Sequence, residues 1–467
     1  MESEIHKIHQ SVQDGAVSCT DLVKQKIDML EKSANNTANF LLKESALQRA
    51  SIVDQKVKTG KKIGLLEGVP FGIKDVFLLQ GEHASASSAF LKNYISPYTA
   101  TAIQKLLDEG AIPIVKENCD SFGHGSSTEN TAFGPARNAL NEDLVPGGSS
   151  GGSAVNVAKE YTTFSIGGDT GGSIRQPAGF NKVYGLKPTY GRISRYGLMA
   201  YASSTDCVGP ISKSLEDIRI LLNVMSGKDL HDQTSFDAPP VPEDIFKEKL
   251  KGDKLKVGFY TSFLENPSLD AGIKKDFLSL LTRLKDHKVD VIPMEFFDTN
   301  LLVSMYYILG MAETASNLAR LDGINYGERL TAESLKAGYA LTRSENFTEE
   351  TKRRIIGGNQ VLSQGHSEEI YLKARGLRNQ VSARFEQEFK LVDIILSPVT
   401  PNLPPKLGSQ NDPLEMYLSD AFTVGFSLGG LPTLTAPGGT ETGIQITAPK
   451  RQEEKILKFA NFLKEVE

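Results

Sequence analysis

The chain has 467 residues, of which 39% are hydrophobic and 23% are charged, and its formal net charge is −5. A chain of this length and composition buries a large core, which excludes an intrinsically disordered protein. The acidic balance argues against a chain that binds nucleic acid by itself. The three cysteines, Cys19, Cys119 and Cys207, are far apart and form neither a disulfide framework nor a zinc motif. With no long apolar run, we expect a cytoplasmic enzyme that has no membrane contact.

The predicted elements begin with helices. Apolar residues recur at helical spacing through residues 1–60, so this part is predicted to be helical. Short apolar runs then predict strands at Val69–Ile73, Ala111–Val115 and Thr162–Ile166, with a helix at Thr101–Glu109 between two of them. This alternation indicates an α/β fold in which a mixed central β-sheet is sandwiched by helices.

A polar, proline-rich stretch at residues 227–253 interrupts this pattern. It resembles either a linker or a long surface excursion. Strand-like segments continue beyond it, for example at Leu391–Leu396. Because strands on both sides can complete one sheet, we predict a single domain over residues 1–467, with N-terminal helices in 1–60 and a core in 61–467 that includes the excursion.

Two glycine- and serine-rich segments, Pro146–Ser153 and Gly167–Pro177, are the most informative part of the sequence. Glycines that expose backbone N–H groups ahead of a helix are typical of phosphate-binding loops. Here, however, Ser153 and Ala154 stand where a Walker A motif requires lysine followed by serine or threonine. Either segment taken alone is also compatible with a flexible loop, although a linker would not be followed at once by a strand, as we expect both segments to be.

A nucleophile elbow is a second interpretation of the same residues. Gly148–Gly152 formally matches G-x-S-x-G and nominates Ser150 as a nucleophile. That mechanism also requires a histidine later in the chain. The three candidates all lie in polar stretches that favour a solvated surface position: His231, His287 and His366.

A serine–lysine mechanism is the third interpretation. A lysine can replace the histidine of a Ser-His-Asp triad when its amine is neutral and can accept the serine proton. Lys74 follows the apolar run Val69–Ile73, so we expect its amine at the end of a buried strand. Desolvation at such a position lowers the pKa of a lysine. Taken alone, Lys74 is equally compatible with an exposed or ion-paired lysine at a strand end.

Three motifs together resemble the amidase signature family. Gly68–Asp75 is similar to its lysine motif, and Gly147–Ser153 and Gly168–Pro177 are similar to its two serine motifs. The order matches too, since Ser149 follows Lys74 by 75 residues and Ser173 follows Ser149 by 24.

The resemblance implies the family's fold and assigns roles to individual residues. Ser173 would be the nucleophile, Ser149, preceded by a cis peptide bond, would relay its proton, and Lys74 would be the general base. The oxyanion hole would consist of the backbone N–H groups of four consecutive residues, the last of which is the nucleophile: Thr170, Gly171, Gly172 and Ser173.

Further segments resemble one branch of that family, the glutaminase subunits of tRNA-dependent amidotransferases. They are Gly125–Pro135, Gly185–Leu198 and Ser397–Pro401. This branch implies that glutamine is bound by Asp420, through its α-ammonium group, and by Arg353, through its α-carboxylate. Some positions depart from the common pattern of the branch, with His124 in place of methionine, Gly179 in place of alanine and Cys207 in place of glutamine near the expected ammonia exit.

The same resemblance implies a heterotrimer with B and C subunits. Ammonia released from glutamine would convert misacylated Glu-tRNA(Gln), or Asp-tRNA(Asn), to Gln-tRNA(Gln), or Asn-tRNA(Asn), in the complex. ATP and magnesium would serve the assembled enzyme, and this chain itself would hold no cofactor and no metal. A stand-alone amidase that hydrolyses another carboxamide is the alternative, because it would share the same three catalytic residues.

Overall fold

The central sheet contains eleven strands in a computed structural model that describes residues 2–247, 250–252, 255–409 and 412–466. The strands are β1 Ala38–Leu41, β2 Pro70–Lys74, β3 Ile112–Glu117, β4 Phe164–Asp169, β5 Tyr184–Lys187, β6 Cys207–Ser212, β7 Lys256–Tyr260, β8 Asp290–Met294, β9 Ile394–Pro398, β10 Thr433–Ala436 and β11 Ile444–Thr447. Their order across the sheet is β1-β3-β2-β4-β6-β5-β10-β11-β9-β7-β8. Parallel and antiparallel pairs both occur, so the predicted mixed sheet is confirmed.

Helices flank this sheet. They are α1 Glu4–Gln13, α2 Cys19–Glu31, α3 Lys43–Lys58, α4 Thr101–Asp108, α5 Gly151–Ala158, α6 Arg175–Phe180, α7 Leu215–Met225, α8 Thr261–Leu264, α9 Ala271–Asp286, α10 Thr299–Asn317, α11 Leu335–Asn346, α12 Glu349–Leu362, α13 Leu372–Glu388, α14 Pro413–Leu418, α15 Val424–Leu428 and α16 Glu453–Val466. Several begin at a serine or aspartate whose side chain accepts a backbone N–H of the first turn, as Ser214 does at α7. No helix in the described part of the chain is long and apolar enough to cross a membrane.

The strands before and after the polar stretch at 227–253 belong to the same sheet. β5 pairs antiparallel with β10, and this pair joins β1–β6 to β7–β11. Residues 248, 249 and 253 of that stretch lie outside the described residues. The hydrogen-bonded ladder therefore runs across both halves of the sequence, which is the arrangement expected from strand-like segments on both sides of the stretch.

The N-terminal region is mostly helical, as the periodicity predicts, but it also contributes β1. This strand of four half-buried residues pairs antiparallel with β3, with an irregular register, at one edge of the sheet. Its sequence, Ala-Asn-Phe-Leu, is too short to show a strand periodicity. The pairing therefore comes from tertiary contact with β3 rather than from a local signal.

The arrangement of β2, β3 and β4 brings four chain segments to one edge of the sheet. β2 runs parallel to both β3 and β4, so the carboxyl ends of these three strands coincide. β6 is antiparallel to β4, with Asp169 opposite Cys207, so β6 begins at the edge where the other strands end. Ligand sites in α/β proteins commonly form at such an edge.

Candidate active site

Lys74 ends β2 and lies at the centre of this edge. Only 2% of the residue is exposed. Its Nζ atom donates a hydrogen bond of 2.7 Å to Ser149 Oγ and a longer one, 3.4 Å, to the carbonyl oxygen of Gly168. The structure thus brings together two of the residues nominated from the sequence, although they are 75 positions apart.

The surroundings of Lys74 favour its neutral form. Burial lowers the pKa of this amine below its ordinary value of 10.5. This effect is opposed by the carboxylates that face the amine after β3, at the end of β4 and before β6: Asp120, Asp169 and Asp206. A lysine with a lowered pKa and a hydroxyl at hydrogen-bonding distance can act as a general base.

Ser149 is buried, and its preceding peptide bond, Gly148–Ser149, is cis. Two neighbours hold this dipeptide: the N–H of Asp120 donates to the Ser149 carbonyl at 3.3 Å, and the N–H of Gly148 donates to Gln176 Oε1 at 3.0 Å. Gly148 has no room for a side chain, because a Cβ atom would collide with the Asp120 carboxylate. The Ser149 hydroxyl is thereby directed towards Lys74.

Ser173 lies in the turn between β4 and α6. Its carbonyl oxygen accepts the N–H of Ser150 at 3.0 Å, so the two glycine- and serine-rich segments are joined directly beside Ser149. The turn is closed by a buried ion pair in which Arg175 donates to Asp169 at 2.9 and 3.0 Å. Asp169 also accepts the N–H of Ile174 at 3.1 Å. Both ends of the Ser173 turn are therefore fixed.

Glycines are required in the first part of this turn. Gly172 has a φ of +152°, and a Cβ atom there would lie 2.6 Å from Thr423 Oγ1. A Cβ atom on Gly171 would lie 2.5 Å from the Tyr306 hydroxyl. The N–H groups of both glycines donate to no protein acceptor among the described residues. These donors are of the kind that stabilises an oxyanion.

Asp420 is a buried carboxylate on the segment that packs against the Ser173 turn. It accepts hydrogen bonds from Ser126 Oγ at 3.1 Å and from Tyr307 Oη at 2.9 Å. Burial raises the pKa of Asp420 to about 7. Thr423, three residues later, donates back to the Asp420 carbonyl and contacts Gly172, which fixes Asp420 relative to the turn.

Arg354, on α12, lies in an aromatic cage close to Asp420. The residue is 2% exposed, and its guanidinium donates to Glu350 at 2.8 Å and to Tyr201 Oη at 2.7 Å. The ring centroids of Tyr201, Tyr307 and Tyr417 lie 5.1 to 5.6 Å from its guanidinium carbon. Tyr307 therefore contacts both the guanidinium and the Asp420 carboxylate.

Arg353, the arginine named from the family resemblance, occupies a different face of α12. Its side chain is 45% exposed and forms an ion pair with Glu350. The structure does not bring it to Asp420, because consecutive helical residues point about 100° apart. The buried arginine of this helical turn is therefore Arg354, the neighbour of the residue named from the resemblance.

The structure adds residues that sequence analysis did not assign to the site. Ser126 lies in Gly125–Pro135, a segment that resembles a family motif but does not by itself nominate a residue of the site. Tyr307 and Tyr201 carried no signal, because they are tyrosines in ordinary apolar contexts. His124 is buried, hydrogen-bonds Thr351 and Thr314 at 3.1 and 3.2 Å, and packs edge-on against Tyr201. Burial lowers the pKa of His124 well below its usual value.

The alternative nucleophile, Ser150, has a different environment. Its Oγ donates to the Gly168 carbonyl at 3.1 Å, and Ser150 directly precedes α5. The three candidate histidines have other partners. His231 stacks on Tyr196, His287 contacts the Arg283 carbonyl and His366 lies near Ser363 and Gln360. In the part of the chain that the structure describes, no histidine pairs with Ser150.

Cys207 lines a small cavity of about 20 Å³ together with Lys74, Ser149, Thr170 and Asp206. Gly179 lies against the Thr442 carbonyl, so a Cβ atom has no room there.

No group of three or more histidine, cysteine, aspartate or glutamate side chains within the described ranges is arranged to hold a metal ion.

Comparison with known proteins agrees with this geometry. The sequence model of the family described as Amidase matches residues 21–457. The A subunit of the glutamyl-tRNA(Gln) amidotransferase of Natranaerobius thermophilus is 37% identical over 473 residues, covering 100% of this chain and 96% of the relative. A corresponding A subunit of Clostridium acetobutylicum is 40% identical over 477 residues, covering 99% and 98%.

Solved structures give the same result. The crystal structure of the glutamyl-tRNA(Gln) amidotransferase A subunit from Thermotoga maritima superimposes with a TM-score of 0.74 at 33% identity, covering 87% of this chain and 84% of that chain. The family match and the full-length relatives agree with the three motifs and with the sheet described above. The chain therefore belongs to the amidase signature family.

Proposed function

We propose that this chain is the glutaminase subunit of a tRNA-dependent amidotransferase. The observation that carries the proposal is the pairing of a buried carboxylate, Asp420, with a buried guanidinium, Arg354, through their common neighbour Tyr307. Glutamine presents an ammonium and a carboxylate on a single carbon, and charge-assisted hydrogen bonds to both distinguish it from a simple amide. The names of the full-length relatives support the same function.

Ser173 is the proposed nucleophile. Its Oγ would attack the side-chain carbonyl carbon of glutamine while its proton passes to Ser149 Oγ and the Ser149 proton passes to the neutral Lys74 amine. The 2.7 Å contact between Lys74 and Ser149 supports the second transfer. Collapse of the tetrahedral intermediate returns a proton through the same relay to the departing nitrogen and releases ammonia. Water then attacks the acyl-enzyme and gives glutamate.

The negative oxygen of each tetrahedral intermediate would lie against the backbone N–H groups of Thr170, Gly171, Gly172 and Ser173. The unpaired N–H groups of Gly171 and Gly172 support this assignment. Preorganised donors of this kind contribute about 3 kcal/mol each to the stabilisation of the transition state. Because the turn is clamped by Asp169 and Arg175, little reorganisation accompanies the reaction.

Asp420 would bind the α-ammonium group of glutamine, and Arg354 would bind its α-carboxylate in place of Arg353. The enclosed position of Arg354, against the exposed position of Arg353, supports this choice. A guanidinium presents a planar fork that matches a carboxylate, and the surrounding tyrosine rings keep it in one orientation.

The released ammonia would serve B and C subunits in a cytoplasmic heterotrimer. Activation of Glu-tRNA(Gln) or Asp-tRNA(Asn) with ATP and magnesium is assigned to these partners. The acidic balance of this chain supports that division, since a net charge of −5 does not favour tRNA binding by the chain alone. The chain itself is proposed to work without a cofactor or a metal.

Ammonia release from glutamine tests the proposal. The purified chain is assayed alone and together with B and C subunits, Glu-tRNA(Gln) and ATP, beside a Ser173→Ala variant. We expect strong stimulation by the partners and loss of ammonia release in the variant. Partner-independent turnover of propionamide, with glutamine hydrolysed no faster, would instead establish a stand-alone amidase and remove the roles of Asp420 and Arg354.

A further inference from the structure

One buried carboxylate at the site has no role in the mechanism above. Asp206 immediately precedes β6, at the edge where β2 and β4 end, and it is buried. Asp206 is one of the residues that line the small cavity beside Lys74 and Ser149. A buried carboxylate needs donors around it, so its partners show which groups it holds in place.

The partners of Asp206 belong to two different parts of the site. Oδ1 accepts the hydroxyl of Thr170 at 2.7 Å and the backbone N–H of Ala202 at 3.1 Å. Oδ2 accepts the backbone N–H of Tyr201 at 3.0 Å. All three bonds come from donors, which is the environment of an ionised carboxylate. One side chain thus connects the turn before Ser173 with the segment that carries Tyr201.

Tyr201 extends this connection to the substrate-binding residues. Its hydroxyl accepts the 2.7 Å hydrogen bond from Arg354, and its ring lies 5.3 Å from the guanidinium carbon. The ring is held on two further sides, by His124 at a centroid distance of 4.8 Å and by Tyr306 at 6.4 Å. Its position relative to β4 depends on its backbone, which is the part that Asp206 holds.

We propose that Asp206 is a positioning residue that fixes the oxyanion turn and the Arg354 end of the site relative to each other, through Thr170 on one side and Tyr201–Ala202 on the other. The proposal rests on the proposed function, because it assigns Arg354 to the substrate carboxylate. Because both carboxylate oxygens of Asp206 belong to one rigid group, the oxyanion turn and the Tyr201–Ala202 segment keep a constant separation. The scissile amide and the α-carboxylate of bound glutamine then keep a constant separation as well. Positioning of this kind changes rates strongly when it is lost.

Asp206 also acts on Lys74 through its charge. The Lys74 amine is faced by Cys119, Asp120, Asp169 and Asp206, and the three carboxylates favour its protonated form. Burial raises the pKa of Asp206 itself, the hydrogen bonds from Thr170 and Ala202 and the charge of Arg195 lower it, and the charge of Glu313 raises it. Removing the negative charge of Asp206 makes protonation of Lys74 less favourable. The acid limb of the pH profile of kcat is the fall in rate that accompanies protonation of Lys74. We expect this limb to move to lower pH when the charge of Asp206 is removed.

Asp206→Asn tests the proposal, because it keeps the size of the side chain but places an amide group against backbone donors. We expect kcat for glutamine to fall about 10- to 100-fold, as for the loss of a charged hydrogen bond. KM should rise several-fold, and the acid limb of kcat should move to lower pH.

Two further variants separate the two ends of the connection. Thr170→Val removes the hydroxyl that Asp206 accepts and should lower kcat with KM nearly unchanged. Tyr201→Phe removes the acceptor of the Arg354 hydrogen bond and should raise KM more than it lowers kcat. Asp206→Asn should both lower kcat and raise KM only if Asp206 holds both Thr170 and the Tyr201 backbone.

Asp217→Asn is the matched control, because Asp217 is a buried carboxylate that lies away from the site. It also accepts hydrogen bonds, from Ser3 Oγ at 2.5 Å and from the N–H of Glu4 at 3.2 Å. The control variant should lower the melting temperature while leaving kcat, KM and the acid limb as they are. If Asp206→Asn lowers only the melting temperature, the proposal is overturned. Glutamine hydrolysis that depends on Ser173 would remain in that case, so the proposed function would stand.

Discussion

Lys74 Nζ and Ser149 Oγ are 2.7 Å apart in a buried site, with the amine at the end of one strand and the hydroxyl on the glycine-rich segment ahead of α5. The contact depends on the parallel pairing of β2 with β4, since β4 carries Gly168, whose carbonyl also lies near the amine. A buried lysine that faces a hydroxyl is suited to accept a proton. Several measurable consequences depend on this pair and on the residues around it.

Lys74→Met removes the proposed general base and should reduce glutamine hydrolysis by about 10³-fold or more. It should also change how stability depends on pH. The unfolded chain keeps a proton on Lys74 up to about its ordinary pKa of 10.5, whereas burial lowers the pKa in the folded state. Unfolding therefore takes up a proton between these two values, so the free energy of unfolding rises with pH across that interval.

Urea titrations of the wild type and Lys74→Met between pH 7 and pH 10 measure this effect. The variant lacks the titrating group, so the wild type should gain stability relative to it as pH rises. A stability difference that stays constant over this range would show that Lys74 is charged in the folded protein.

Ser173→Ala should reduce ammonia release by about 10³- to 10⁶-fold, because the attacking hydroxyl is lost. Ser150→Ala is the matched comparison. Among the described residues, Ser150 Oγ donates only to the Gly168 carbonyl, so this variant should keep at least about a tenth of the activity, as for loss of one neutral hydrogen bond. Rates are compared under saturating glutamine. A larger loss in Ser150→Ala than in Ser173→Ala would revive the nucleophile-elbow interpretation.

Asp420 should make glutamine binding sensitive to pH near neutrality. Burial raises the pKa of Asp420 to about 7, and only the ionised carboxylate attracts an α-ammonium group. We expect KM for glutamine to rise about tenfold per unit as pH falls below that value. Steady-state kinetics from pH 5.5 to 8.5 measure it.

Propionamide, which has no ammonium group, is the control for the Asp420 prediction. Its KM should not follow the same profile, and Asp420→Asn should raise KM for glutamine far more than KM for propionamide. An equal response of both substrates would remove the assigned role.

The two arginines of α12 should behave differently. Arg354→Lys keeps the charge but loses the planar fork and the hydrogen bond to Tyr201, so KM for glutamine should rise about 100-fold. Arg353→Ala removes a side chain that is 45% exposed, leaves Glu350 paired with Arg354, and should change KM by less than about threefold. Parallel measurements of KM distinguish the two residues, and the reverse result would restore Arg353 as the residue that binds substrate.

Gly172→Ala should impair both stability and activity. The φ of +152° disfavours a side chain, and the added Cβ atom would lie 2.6 Å from Thr423 Oγ1. We expect a loss of about 1–3 kcal/mol of stability and a decrease of about 100-fold in kcat, because the oxyanion donors are displaced.

Gly81→Ala is the matched control for Gly172→Ala, since Gly81 also has a positive φ, of +81°, but has no atom within 4 Å of an added Cβ. It should lower the melting temperature with normal kcat. Normal kcat in Gly172→Ala as well would show that this turn does not take part in catalysis.

The three family motifs could be recognised in the sequence because each is a run of neighbouring residues. Backbone that passes close to other atoms requires glycine, which has no side chain. The segments Gly147–Ser153 and Gly168–Pro177 are therefore recognisable by their glycine content. The position of Lys74 was also predictable, since an apolar run that ends in a lysine places the amine at a strand end. The mixed sheet followed from the alternation of strand-like and helical segments.

The short strand β1 could not be predicted in the same way, because its pairing depends on β3, more than 70 positions away in the chain. The sequence also could not show which of Arg353 and Arg354 is buried. Neighbouring residues of a helix differ in direction, and α12 has apolar residues on more than one side, so only the packing of α10 against α12 shows which side is buried.

The amino-acid sequence by itself determined the family, the sheet-and-helix architecture and the positions of Lys74, Ser149 and Ser173, because motifs and periodicity are properties of neighbouring residues. Tertiary structure alone decided which side chains complete the site. Ser126 and Tyr307 meet Asp420 from 294 and 113 positions away, and Asp206 meets Thr170 from 36. Such contacts arise only when parallel strands and packed helices bring distant segments together, and no local pattern in the chain records them.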